Sequence, residues 1–549
     1  MTFSFGLLIG FGGGKRTNGA SRSPKRGREF WWCRQSAKRF GVRQPSGAFG
    51  WPAIWQCAFI YAAVYKMRLL CRAVAGLDRG ADWDTIFPTI SSVNQPSKKV
   101  RHGGATRREF LKKSTLAAAV VAAGRNLLKT PVYGQNQAPA PGNAVGANNR
   151  LVVGYIGVGL QGMAHVNLQK EHATENNIAQ AAVCDLSAHR QAEAKAAIGN
   201  CDTFADFEKL LERKDIDAVT IATVDQWHAK AAMAALQAGK HVYLEKPMTR
   251  YLGEAFELHD TVKKTGKVFQ VGSQGTSDAK WSKAAELIKA GKLGALVLGQ
   301  DSYMRNSIKG EWNIDLQPWA GPADLDWAKW QGQVHNKTPF NAEAYFRWRK
   351  FYPYCAGLLG DLFPHRLHPL MLATGNPEFP SRVVCLGEKP VHADANTPGA
   401  SERDCPEDVQ ALAQFPSGLA LLMISSTVNQ YGLDSVLRGH KATLLMAGNR
   451  VELRPEKDFA DDIDPLTIDN IQPGEDIAVH EKNWFDSIRA NTAPNGNIDL
   501  AIRVQTVIAL AEMSNRLNMV CLFDEKTRKI TNGDGKEVAA ITYGTLEKS

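Results

Sequence analysis

From Leu151 onward, short apolar runs alternate with segments whose apolar residues recur at helical spacing. Leu151-Val152-Val153-Gly154-Tyr155-Ile156 reads as a buried strand, and residues 161–171 as the helix that follows it. A second strand spans Ala179 to Leu186. Beyond it the pattern predicts a helix over 204–213, a strand from Asp217 to Thr223 and a helix from Ala229 to Ala238. A strand from His241 to Leu244, a helix over 253–264 and a strand from Val268 to Gly272 complete the series. Such alternation builds a doubly wound parallel sheet of the α/β class, with ligands at the carboxyl ends of its strands. After Gly272 the pattern becomes an α+β mixture. Ala279 to Gly291 reads as a helix, Asp408 to Phe415 and Leu419 to Val428 as antiparallel strands joined by Pro416-Ser417-Gly418, and 480–490 and 498–516 as helices. Two domains follow, 150–272 and 273–549. A body of this length exceeds one ordinary core.

Residues 1–150 lack that regularity. They carry 24 basic and 5 acidic side chains, whereas residues 151–549 carry 42 and 50. The net charge of +11 over 549 residues therefore describes a basic leader on a mildly acidic body. No nucleic-acid partner is expected, because the body has no positive excess to displace counterions from phosphates. Residues 1–104 read as a disordered or artefactual extension. The apolar run from Trp51 to Tyr65 is shorter than the roughly 20 residues of a spanning helix, so no stable membrane span is expected. Residues 105–149 differ. Thr106-Arg107-Arg108-Glu109-Phe110-Leu111-Lys112-Lys113 precedes a small-residue apolar run from Thr115 to Gly124. It resembles the twin-arginine export consensus, and it is followed by a Pro/Asn/Gly/Ala linker. The translocase of that route is an expected partner, and the periplasm the expected location. Twin-arginine export carries folded proteins, which suits a cofactor inserted before export. The six cysteines of the body show no CxxC spacing, so a zinc ribbon is excluded and a disulfide framework is not expected.

Candidate chemistry starts immediately after the first strand. Gly157-Val158-Gly159-Leu160-Gln161-Gly162 is a GxGxxG turn between strand and helix, the context its mechanics require. Gly157 allows the tight turn, Gly159 the close approach of a pyrophosphate, and Gly162 the packing of helix on strand. Leu160 and Gln161 open the helix whose N-terminus faces the phosphates. Asp185, at the end of the second strand, has the spacing of a carboxylate that binds the adenine-ribose hydroxyls. It would repel a 2′-phosphate, so NAD is the expected cofactor, with NADP the alternative because Arg190 is close by. Topology places Thr223, His228, Glu245 and Lys246 at the same cleft. Pro247 restricts the backbone of Lys246.

These motifs, with Trp227-His228-Ala229-Lys230-Ala231-Ala232, Ala238-Gly239-Lys240-His241-Val242 and above all Glu245-Lys246-Pro247, resemble the Gfo/Idh/MocA family of glucose–fructose oxidoreductase and inositol dehydrogenase. The likeness spans about residues 150–545. It implies an N-terminal Rossmann domain and a C-terminal domain with an open-faced, mostly antiparallel sheet that often builds oligomer contacts, hence a homo-oligomer. It also implies that Lys246 meets the substrate oxygen at the nicotinamide. Gly360-Asp361-Leu362-Phe363-Pro364-His365 resembles the family's DxxxH motif, which makes Asp361 and His365 the catalytic pair. His368 stands where an aspartate is more usual. A carboxylate near an imidazole holds its tautomer and raises its basicity. A metal on Asp361, His365 and His368 is the weighed alternative, and no metal is expected.

Aromatic faces suit sugar rings and arginine suits hydroxyls, so Arg347, Trp348 and Tyr352, with His368, are the candidate substrate contacts in the tract around Tyr345-Phe346-Arg347-Trp348-Arg349. The expected activity is hydride transfer between a sugar or cyclitol hydroxyl and a tightly bound nicotinamide. His365, oriented by Asp361, takes the proton, and Lys246 stabilises the alkoxide. Two alternatives stand beside it: redox-neutral glycoside cleavage by oxidation, elimination and reduction, and a non-catalytic binding protein.

Overall fold

A computed structural model describes residues 149–472 and 474–546. The basic leader and the twin-arginine segment lie outside the described residues.

The first domain contains β1 (Leu151–Ile156), α1 (Leu160–Glu171), β2 (Ile178–Cys184), α2 (Ala188–Ile198), β3 (Asp202–Phe204), α3 (Phe207–Leu211), β4 (Ala218–Ile221), α4 (Asp225–Gln237), β5 (His241–Glu245), α5 (Leu252–Thr265) and β6 (Phe269–Gly272). Its six strands are parallel in the order β3-β2-β1-β4-β5-β6. This order reverses direction between β1 and β4, and the crevice at that point is where a dinucleotide binds.

Two local readings need correction. The helix expected over 204–213 begins as strand, because Thr203 and Phe204 pair with Val183 and Cys184. It starts only at Phe207, where Asp206 caps it by accepting the N–H of Glu208. Helix α2 had no assignment. It buries only Ala194, so it shows no apolar face to recognise, and its Ala-rich sequence and the Ser187 cap carry it instead.

The second domain follows as α6 (Ala279–Lys289), β7 (Leu296–Asn306), α7 (Trp327–Gln331), α8 (Ala342–Phe346), α9 (Leu358–Asp361), α10 (Phe363–Ala373) and β8 (Arg382–Glu388). Then come β9 (Asp408–Gln414), β10 (Ala420–Ser426), β11 (Val428–Asn429), β12 (Ser435–Gly439), β13 (Ala442–Ala447), β14 (Arg450–Pro455) and β15 (Leu466–Ile468). Helices α11 (Ile477–Ala490) and α12 (Ile498–Leu517) and strands β16 (Cys521–Asp524) and β17 (Lys529–Thr531) close the chain. The strands form one 11-stranded sheet, antiparallel except for the β7–β10 pair. Alternation along β9 buries Val409, Ala411 and Ala413 on one face and leaves Gln410, Leu412 and Gln414 on the other. That other face is open: Leu412 is 42% and Leu386 70% exposed.

Helices α10 and α12 cover the buried face. In α12, 15 of 20 residues are buried, so it is enclosed on all sides. Its start, at Ile498, Ala501 and Ile502, packs into the first domain's core, and the rest packs into the second. Helix α11 also returns to the first sheet, placing Trp484 and Phe485 against Tyr155 and Tyr243. The domains are thereby interlocked through buried side chains. The six cysteines of the body are free and buried. Among the described residues, no helix is long and apolar enough to cross a membrane.

Candidate active site

A cavity of about 680 Å³ lies along the carboxyl ends of β1, β2, β4 and β5, beneath a wall from the second domain. At one end stand Asp185, Arg190 and Phe207, and at the other Lys246, Asp361 and His365.

The first end is built by backbone. Gly157 has φ +81°, and a Cβ there would lie 2.8 Å from the Ala222 carbonyl and the Thr223 nitrogen. A Cβ on Gly162 would collide with the Gly157 carbonyl oxygen, so α1 sits directly on the turn. No side chain caps the first N–H groups of α1, which leaves its positive end available to an anion. Leu160 and Gln161 line the cavity there. Asp185 is fixed by two backbone donors, Val158 N–H to Oδ2 at 2.9 Å and Ser187 N–H to Oδ1 at 3.0 Å. Burial raises its pKa against the pull of Arg190. The Arg190 guanidinium lies over Gly159, donates to the Tyr345 hydroxyl at 2.9 Å and sits against the rings of Trp319 and Tyr345. A glycine cradle, an uncapped helix end and a positioned carboxylate fit a dinucleotide.

The other end is built by side chains from both domains. Lys246 donates from Nζ to Asp361 Oδ1 at 2.8 Å and to the Asp361 carbonyl at 3.0 Å. Arg349 Nε donates to the same Oδ1 at 2.9 Å. Burial alone would raise the pKa of Asp361, but Lys246 and Arg349 hold it well below the carboxylate range. Asp361 therefore engages the two cations rather than orienting His365. The sequence expectation of an Asp361–His365 couple is corrected: α9 ends at Asp361, and His365 rises from the first turn of α10. The His365 ring packs at 5.1 Å on Tyr303. Burial and the charge of Lys246 push its pKa down to about 3, so at pH 7 the imidazole is neutral and one nitrogen can accept a proton.

Behind Lys246 lies Glu245. Its Oε1 meets His165 Nε2 at 2.9 Å and the Gln161 amide at 3.1 Å, and its Oε2 accepts the Lys246 N–H at 3.1 Å. The His228 ring faces the carbonyls of Pro247 (2.7 Å) and Thr223 (3.2 Å), tying together the loops after β4 and β5.

The covering wall comes from residues 307–357. Asp324 accepts from Ser187 Oγ at 2.6 Å and from the His189 N–H at 2.9 Å. The Trp330 carbonyl accepts from Trp227 Nε1 at 3.0 Å and Gln226 Nε2 at 3.2 Å. The His189 ring stacks on Trp319 at 4.3 Å. Each link joins the wall to loops at the carboxyl ends of the parallel strands.

Of the proposed substrate contacts, Trp348 lines the cavity, with the Arg349 guanidinium 4.2 Å from its ring centre. Three others are corrected. Arg347 is buried between Glu343 (2.7 Å) and the Ile314 carbonyl (2.8 Å). Tyr352 packs under Arg516, 3.9 Å from its ring centre, and its carbonyl accepts from Arg250. His368 is buried with Nδ1 turned to the Pro364 carbonyl at 3.0 Å, so Asp361, His365 and His368 do not converge as a metal triad. The tight turn Trp348–Lys350 explains the swap of Arg347 for Arg349, because successive side chains there point in different directions. Sequence reasoning passed over Arg349 and missed His165 and Glu481. For His165 the available signal was a polar residue on the buried side of α1, three positions after Gly162.

Residues 151–273 match the GFO_IDH_MocA family model, described as the oxidoreductase family, NAD-binding Rossmann fold. A glycosyl hydrolase family 109 protein of Saccharopolyspora erythraea is 31% identical over 225 residues, 37% of this chain and 48% of that protein. One from Shewanella baltica is 28% identical over 217 residues, 36% and 46% of the two chains. The chain spans about half the length of the curated relatives it matches. Among solved structures, an oxidoreductase domain protein from Kribbella flavida superposes with a TM-score of 0.54 at 20% identity, covering 68% of this chain and 100% of that one. Levoglucosan dehydrogenase in complex with NADH and levoglucosan gives 0.52 at 18% identity, covering 70% and 99%. These structures share the fold of both domains, and the first is an NAD-binding Rossmann domain.

Proposed function

We propose that the chain is an oxidoreductase that transfers a hydride between a hydroxyl-bearing carbon of a sugar or cyclitol and a nicotinamide dinucleotide it keeps bound. One juxtaposition carries this reading: Lys246 at the end of β5 stands with neutral His365 at the end of the cavity remote from Asp185. When bound, the dinucleotide supplies the hydride acceptor. His365, neutral at pH 7 and lining the cavity, takes the hydroxyl proton on a ring nitrogen. The Lys246 ammonium, aimed by Asp361, offsets the negative charge growing on the substrate oxygen. Trp348 offers a flat apolar face to a ring substrate, and the wall over 307–357 keeps water from the reacting carbon. Oxidation of free sugars by the purified chain, followed as formation of reduced nicotinamide, tests the reading. Absence of such formation across aldoses and cyclitols would overturn it.

A second reading is favoured by the wall stapled over the nucleotide groove and by the family 109 relatives. In it the residues around the cavity would hold a nucleotide that lends and regains a hydride, and water would replace the aglycone of a glycoside with no net redox change. Release of aglycone from a chromogenic glycoside without net reduction selects this reading. For the whole protein we propose twin-arginine export to the periplasm, tested by fractionation of an Arg107→Lys, Arg108→Lys double variant. We also propose self-association through the exposed sheet face, tested by light scattering of Leu412→Glu.

A further inference from the structure

We propose that Glu481, His165 and Glu245 form a buried relay that maintains a fixed negative charge at the nicotinamide end of the cavity, offsetting the cations there that would otherwise bias the held nucleotide toward its reduced form; this rests on the nucleotide-dependent reading above. The three side chains come from α11, α1 and the end of β5. His165 is completely buried, with Nδ1 2.6 Å from Glu481 Oε1 and Nε2 2.9 Å from Glu245 Oε1. An imidazole that donates to a carboxylate from each nitrogen carries both protons and a positive charge. Its neighbours' hydrogen bonds outweigh burial and raise its pKa to about 10, while that of Glu245 falls to about 2 against its own burial.

The trio thus bears two negative charges and one positive. Every donor around Glu245 supports its ionised form: the imidazolium and the Gln161 amide on one oxygen, the Lys246 N–H on the other. Space is reserved for it, since a Cβ on Gly272 would lie 2.8 Å from Glu245 Oε1. Three buried ionic groups are an expensive way to pack a helix on a sheet, and Glu245 alone of the three lines the cavity.

The orientation of the nucleotide follows from the glycine turn. With the ribose at Asp185 and the pyrophosphate at the start of α1, Glu245 and Lys246 would lie at the nicotinamide end of a bound dinucleotide. There Lys246, Arg349 and Asp361 sum to one positive charge, which would disfavour a cationic ring. The net negative charge of the relay offsets it. The oxidised ring is cationic and the reduced ring neutral, so the relay discriminates between them by charge.

The test equilibrates the full chain with an equimolar excess of NAD+ and NADH, removes free nucleotide, denatures the protein and measures the ratio retained. The wild type should retain NAD+ and NADH in comparable amounts. In Glu245→Gln the ratio should move toward NADH by on the order of tenfold, the effect of losing one nearby charge in a site of reduced dielectric. Glu245→Asp keeps the charge and should keep most of the wild-type ratio. Glu481→Gln alters no cavity group and should shift the ratio the same way by a smaller factor, so it also carries the test if Glu245→Gln fails to fold. Equal ratios in the wild type and in both Gln variants would overturn the relay. Retention of no nucleotide by the wild type would overturn the underlying reading, and the relay with it.

Discussion

His165 in the first domain and His365 in the second are both buried, and burial by itself drives a histidine toward the neutral form. Their fates are opposite. His165 touches a carboxylate at each ring nitrogen and is raised to about 10, whereas His365 touches none, feels Lys246 and is lowered to about 3. Solvent exclusion is common to both, so the charged partners decide. One imidazole holds its proton at neutral pH and organises the structure, and the other stays neutral with its ring lining the cavity.

The largest effects should come from breaking the reactive side of this comparison. Lys246→Ala and His365→Ala should each lower turnover by on the order of 10²–10⁴-fold while nucleotide stays bound, the range of one lost electrostatic stabiliser or acid–base group. Single-turnover kinetics with a nucleotide assay check both. On the structural side, His165→Ala leaves Glu245 and Glu481 facing a buried gap and should cost about 3–5 kcal/mol of stability, read from urea unfolding. The pH dependence has a defined sign. The folded pKa of His165 lies above its unfolded value, so its contribution is complete below about 6.5. It is lost as pH rises through about 10. Wild-type stability should therefore fall across that window, and a His165→Gln variant should lack that component.

Smaller effects refine the account. Asp324→Ala removes both staples from the wall to Ser187 and His189 and should speed nucleotide loss by roughly tenfold or more, since even one hydrogen bond to a carboxylate contributes about 1.5–3 kcal/mol. Filter-binding dissociation kinetics measure it. Tyr352→Phe should leave KM within about twofold, as for substitutions away from a site, because that ring lies under Arg516 rather than in the cavity.

Legibility in the sequence follows the range of the forces involved. The strand series, the glycine turn and Asp185 are set by neighbours a few residues away, so periodicity and spacing revealed them. The doubly wound parallel sheet followed from that same alternation, and the mostly antiparallel second sheet from the resemblance, whereas the strand order comes from the structure. Helix α2 escaped because it buries little. The Lys246–Asp361 pair spans 115 residues and the His165–Glu481 pair 316. Only tertiary structure assigns such partners, which is why Asp361 was given to His365 instead of Lys246, and Arg347 preferred to Arg349.

The central claim is that Lys246 and His365 act on a hydroxyl beside a held nicotinamide. Its most direct measurement is the near-ultraviolet absorbance of the NAD+-loaded protein on rapid mixing with a panel of sugars and glycosides. The account predicts a stoichiometric rise of reduced nicotinamide in the wild type and a rise slowed by on the order of 10²–10⁴-fold in Lys246→Ala or His365→Ala, although both retain the nucleotide. An equally fast rise in either variant would contradict it.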